Sequence, residues 1–170
     1  MPRPRTIPDA QIFAAVIDLI REGGASAVTF KDVQKRAGLA PASLVQRYGS
    51  RDGMIDAALG AAFTALEEAT QKTITAAPNT RDGARKILFD LSEGHGGPGD
   101  LAVLHLDFTR PPLHARISAW RATIEAALAE RLGSEHEAAR VFTQWQGVLL
   151  WSEIPSRTPV RELLAALVSD

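Results

Sequence analysis

The chain has no cysteine among its 170 residues, which excludes a disulfide framework, a thiolate nucleophile and a cysteine-ligated zinc. No apolar run approaches the ~20 residues that a helix needs to span a bilayer. The opening MPRPRTIPDAQ has two arginines but no apolar segment behind them, so no secretory signal is expected and a cytoplasmic protein is. Alternation of polar and apolar residues is missing as well, and with it the signature of a strand. The four histidines, His95, His105, His114 and His136, stand at no ligand spacing. No glycine-rich phosphate loop follows a strand, and no nucleophile stands at a telling distance from a base. Neither a metal, a cofactor nor an enzymatic activity is therefore expected.

What is present reads as helix throughout. Apolar residues make up 45% of the chain, enough for a sizeable core. Helical periodicity runs from Pro8 to Glu22 and stops at Gly23-Gly24. Thr29 can cap a second helix to about Ala37, and Gly38 breaks it. Pro41 suits the first position of a third helix of about seven residues, closed by Tyr48-Gly49. Ser50 then caps a long helix to about Thr75, and Thr80 caps another ending near Glu93. Gly94–Gly99 reads as a flexible connector. A sixth helix is expected over 100–109 and a seventh from the Arg110-Pro111-Pro112 break to Leu132. Ser134 and Glu137 form a capping box for an eighth helix to Glu153, and a ninth spans Val160–Val168. The fold class is all-α, about nine helices, divided into a head (1–56) and a body (57–170).

The break between the second and third helices is the informative one. Two short helices around a glycine turn can form a helix-turn-helix, with Val33, Ala37, Leu39 and Leu44 inside. Ala42, Ser43, Gln46 and Arg47 then lie on the outer side of the third helix. Glutamine can pair in two-pronged fashion with adenine and arginine with guanine, while a serine hydroxyl reaches phosphate or a base edge. Thr29 and Ser50 precede helix N-termini, which favour anions, and Arg51 stands where a phosphate would. Arg3 and Arg5 form an arm able to add a backbone or minor-groove contact. Residues 1–55 hold eight bases against five acids, whereas the remainder is acidic by four charges. A basic head on an acidic body points to a polyanionic partner for the head.

Over residues 8–56 the chain resembles the TetR family of one-component transcriptional regulators. The resemblance rests on "REGGASAVT" followed by "FKDVQKRAGLAPASLVQRYGSRDGMI". Matching positions include Thr29, Ala37-Gly38-Leu39, Ser43-Leu44, Tyr48, Ser50-Arg51 and Ile55. The resemblance implies operator contacts from Thr29, Pro41, Ala42, Ser43 and Val45, and from Gln46, Arg47, Tyr48, Ser50 and Arg51. The chain departs from the pattern at Ala40, where a serine-type cap is usual, and at Val45, where an aromatic often touches phosphate. It lacks the common base near Pro41. Val45 can touch a thymine methyl but donates no hydrogen bond.

The body resembles the family in helix layout alone. That layout implies a ligand pocket among the middle helices and a four-helix dimer interface from the last two. Pocket candidates are Phe89, His105 and Phe108, with Trp120, Gln144 and Trp145. Interface candidates are Val141, Gly147, Val148 and Trp151 on the eighth helix and Leu163, Leu164 and Leu167 on the ninth. "AARVFTQWQGVLLWSEI" is apolar around much of its circumference, so it needs cover on more than one side. The expected partners are double-stranded operator DNA, a small apolar or aromatic effector and a second copy of the chain, with no membrane. The expected function is a ligand-responsive regulator, acting as a repressor. The alternative is a lipid- or small-molecule-binding protein that shares the fold without reading DNA.

Overall fold

The computed structural model describes residues 7–93, 103, 108–152, 154 and 157–168. Among them are eight α-helices, one short 3-10 turn and no strand. α1 spans Asp9–Gly23 and is followed by the 3-10 turn Ala25–Ala27. α2 is Phe30–Ala37, α3 Pro41–Tyr48 and α4 Arg51–Ala76. α5 spans Arg81–Ser92, α6 Pro111–Leu132, α7 Glu135–Leu150 and α8 Val160–Ala166.

Local chemistry sets most of these ends. The Thr29, Ser50, Thr80 and Ser134 hydroxyls accept from the amides of Asp32, Gly53, Gly83 and Glu137, so each satisfies an otherwise orphan donor. α2 and α6 end on left-handed glycines, Gly38 at φ 79° and Gly133 at φ 75°, a conformation that costs glycine nothing. α3 begins without a side-chain cap because Ala40 precedes it, and Pro41 alone marks its start. The capping box at α7 forms its serine half, while the Glu137 carboxylate binds Arg81 at 3.0 and 3.2 Å. α7 ends at Leu150, three residues short of the sequence expectation, and α8 ends at Ala166. Of the helix expected over 100–109, Val103, Phe108 and Thr109 are described and are helical; the rest lies outside the described residues.

Two apolar clusters organise the molecule. The first joins α1, α2, α3 and the first half of α4, with Ile12, Val16, Ile20, Val33, Leu44 and Leu59 almost wholly enclosed. The start of α6 enters the same cluster through Leu113 and Ile117. The second joins α5, the rest of α6, α7 and α8 around Ile87, Leu88, Ile124, Leu128, Val141 and Trp145. Trp120 packs against both clusters and donates from Nε1 to Thr70 Oγ1 at 2.8 Å. Thr70 is the one buried polar side chain among the described residues, and this bond satisfies it.

Candidate nucleic-acid interface

α3 is fixed from below by Leu44, which is fully enclosed between α2 and α4, with Val33 and Ala37 closing the same layer. Leu39 packs half-buried against it. At the end of α3 the Tyr48 ring lies 6.0 Å from Phe13 of α1, tilted by 50°. The opposite face is open. Ala42, Val45 and Gln46 are exposed, Pro41 and Ser43 half-buried. Residues 42, 45 and 46 are three and four apart and so form one stripe.

The two arginines expected to touch DNA are both engaged within the protein. Arg47 Nη1 donates to the Ile7 carbonyl at 2.9 Å and to Asp9 Oδ1 at 3.0 Å. The Tyr48 hydroxyl donates to the same Asp9 oxygen at 2.5 Å. The Tyr48 hydrogen bond, and then the Arg47 guanidinium, hold the Asp9 carboxyl below the usual carboxylate range. Burial and the neighbouring Asp9 carboxylate push the Tyr48 hydroxyl up to about 12. Arg51 Nε donates to the Val28 carbonyl at 2.6 Å, and its Nη2 donates to the Ala25 carbonyl. It therefore ties α4 to the 3-10 turn between α1 and α2. The N-termini flanking the open face already hold acids. Thr29 Oγ1 donates to Asp32 at 2.6 Å, Lys35 pairs with that carboxylate at 2.6 Å, and Asp52 stands in the first turn of α4. Arg3 and Arg5 lie outside the described residues.

Residues 12–58 match the family described as bacterial regulatory proteins, tetR family. That match spans α1, α2, α3 and the start of α4. No curated protein matches the chain. Solved structures match over its whole length. A TetR-like transcriptional regulator from Rhodococcus sp. RHA1 has a TM-score of 0.74 at 18% identity, covering 99% of this chain and 95% of that one. A TetR-family transcriptional regulator from Streptomyces coelicolor has a TM-score of 0.73 at 18% identity, covering 96% and 88%. The multidrug-binding protein EbrR, complexed with malachite green, has a TM-score of 0.63 at 21% identity, covering 99% and 100%. At these identities the likeness is one of fold, and the whole chain has the fold of TetR-like regulators.

Beyond residue 58 the pocket candidates scatter. Trp145 is enclosed and donates to Ser92 Oγ at 2.8 Å, and Trp120 is held by Thr70. These two and Phe142 form an aromatic cluster with centroids 5.7 to 6.4 Å apart. Phe89 packs half-buried against the second apolar cluster. Phe108 is exposed, Gln144 accepts from Arg140 on the surface, and His105 lies outside the described residues. Of the interface candidates, Val141 and Leu164 are enclosed in the protomer's own second cluster. Gly147, Val148, Leu163 and Leu167 are half-buried. Trp151 is 65% exposed beside Leu150 and Ile154, a patch of large apolar side chains facing solvent.

Sequence reasoning passed over Asp9, which joins α1 to both Arg47 and Tyr48. An acid directly after Pro8 at a helix start reads as a complement to the helix dipole. Its partners, 38 and 39 residues away, leave no trace in local spacing.

Proposed function

We propose that the chain is a transcriptional regulator that binds operator DNA through α3 as a homodimer. The open stripe of Ala42, Val45 and Gln46 on a helix anchored by Leu44 carries this reading. A helix of this width enters the major groove, where small apolar and amide side chains meet base edges. Ser43 adds a hydroxyl at the margin. Pro41 starts α3, and the Thr29 and Ser50 caps, with Tyr48, border the face that would meet the phosphates. The division into a reading head (1–56) and an effector-binding, dimerising body (57–170) belongs to this reading. Two heads in one dimer meet half-sites ~34–36 Å apart on DNA.

The body receives a small apolar or aromatic effector. Its aromatic cluster and the likeness to EbrR support this, with Phe89, Phe108, Trp120, Trp145, Gln144 and His105 as the candidate contacts. An effector preferring one body conformation shifts the spacing of the heads by its differential affinity, so the protein acts as a repressor released on binding. α4 connects the two ends, with Met54 to Phe63 in the first cluster and Thr70 beside the second.

A second reading, a lipid- or small-molecule-binding protein that does not read DNA, draws support from Arg47 and Arg51, both engaged internally. Selection from a randomised duplex library, followed by gel-shift titration at moderate salt, separates the two. The regulator enriches a symmetric sequence and loses affinity steeply as salt rises, because phosphate contacts release counterions. A library that stays random refutes it and leaves the second reading.

A further inference from the structure

Asp9 sits at the first position of α1, outside the residues that match the family, yet it binds the one cation of α3. Arg47 follows Gln46 by about 100° around the helix, so its stem leaves α3 toward α1. There it meets two acceptors in one small space, the Ile7 carbonyl and the Asp9 carboxylate, and that carboxylate also accepts from the Tyr48 hydroxyl. Among the described residues, no group hydrogen-bonds the Gln46 amide.

We propose that Asp9 is a specificity-determining residue: by holding Arg47 against α1 it withdraws a guanine-reading cation and leaves an A·T-reading surface on α3. The inference rests on the DNA-binding reading above. The chemistry of the stripe is matched to one kind of base pair. A glutamine amide donates to adenine N7 and accepts from its N6 amino group, and apolar side chains contact the thymine methyl. Val45, 43% exposed, and Ala42 supply that apolar contact beside Gln46. One A·T pair presents both features in the major groove, whereas guanine O6 and N7 call for an arginine fork or a lysine ammonium. No other base lies on α3. Asp9 touches no base and acts by positioning Arg47.

Selection from a randomised duplex library with the full-length chain and with Asp9→Ala tests this. The wild-type sites should carry A·T pairs at the positions facing α3. Asp9→Ala should admit guanine at one position per half-site, raising affinity for that duplex about tenfold, and adding Arg47→Ala should abolish the gain. Asp9→Asn, which keeps an acceptor for Tyr48 but loses the charge, should shift preference in the same direction. Guanines enriched by the wild type and lost in Arg47→Ala would overturn the inference while leaving DNA binding intact. Identical base preferences for wild type and both Asp9 variants would also overturn it. No enrichment by any of these proteins would overturn the DNA-binding reading and the inference together.

Discussion

Asp9, with Tyr48 and Arg47 both directed at its carboxylate, forms a titratable joint between α1 and α3. Its folded-state pKa lies below the ordinary 3.8, so its contribution to stability is fully present above 3.8 and is lost as pH falls from there through the lower folded-state value. Acid unfolding followed by circular dichroism should therefore show a steeper loss below about pH 4 for the wild type than for Asp9→Asn; parallel curves would contradict the joint. The alkaline side gives a cleaner readout, because Tyr48 is the single tyrosine of the chain. Its ultraviolet titration should have a midpoint of about 12 and should fall in Asp9→Ala by the part that the carboxylate adds to burial. A midpoint near 10.0 in both proteins would show that the hydroxyl is not held. Arg51 carries a warning for mutagenesis. Replacing it removes two carbonyl contacts that tie α4 to the 3-10 turn, each worth about 1–3 kcal/mol for a charged donor. Arg51→Ala should lower the melting temperature as well as any DNA affinity, so loss of binding in that variant does not identify a phosphate contact. Arg51→Lys separates the roles, since lysine keeps the charge and loses the fork.

At the level of elements, two helix starts repeat one device. Ser50-Arg51-Asp52-Gly53 opens α4 and Thr80-Arg81-Asp82-Gly83 opens α5, each with the cap hydroxyl on the glycine amide. The glycines are required by close approach of the preceding chain. A Cβ at Gly53 would stand 2.5 Å from the Tyr48 carbonyl oxygen, and at Gly83 1.7 Å from that of Pro78. Gly53→Ala should cost roughly 1–3 kcal/mol and displace the end of α3. Gly60→Ala, where a Cβ meets nothing within 4 Å, should stabilise α4 by roughly 0.5–1 kcal/mol. Thermal melts of the two variants decide this, and equal shifts would contradict it. The caps themselves, the glycine stops and the inward set Val33, Ala37 and Leu44 were all legible in the sequence, because each depends on neighbours within a turn. The long-range ties were not. Arg131, whose guanidinium binds the carbonyls of Ile74, Ala77 and Pro78 and so closes the end of α4 onto α6, looks in the sequence like one more base at a helix C-terminus. Likewise the salt bridge that lays the exposed Arg47 side chain against the start of α1 left no local trace, because Asp9 lies 38 residues away. The tie of the Trp120 indole to Thr70 was equally hidden, because a threonine in mid-helix carries no local signal of burial.

Across the whole molecule, α6 links the two clusters, Leu113 and Ile117 in the first and Ile124, Leu128 and Leu132 in the second. Trp120 stands at their junction. Trp120→Phe keeps an aromatic ring there but leaves Thr70 without its donor, which should cost about 1–3 kcal/mol. The proposed assembly rests on α7 and α8, where the second cluster already encloses Val141 and Leu164, Gly147 and Val148 are half-buried, and Trp151 just past the end of α7 faces solvent. Gly147 faces open space within the protomer. If a partner helix approaches there, Gly147→Leu should shift sedimentation toward a monomer; an unchanged dimer would place the interface elsewhere. Operator reading requires that α3 meet base edges. Fluorescence anisotropy on the best selected duplex, run as a salt titration for wild type and Gln46→Ala, measures this directly. A base contact removed from a retained phosphate footprint should weaken binding roughly 5- to 150-fold and leave the salt slope unchanged. Indistinguishable affinities for the two proteins, or binding indifferent to salt, would contradict it.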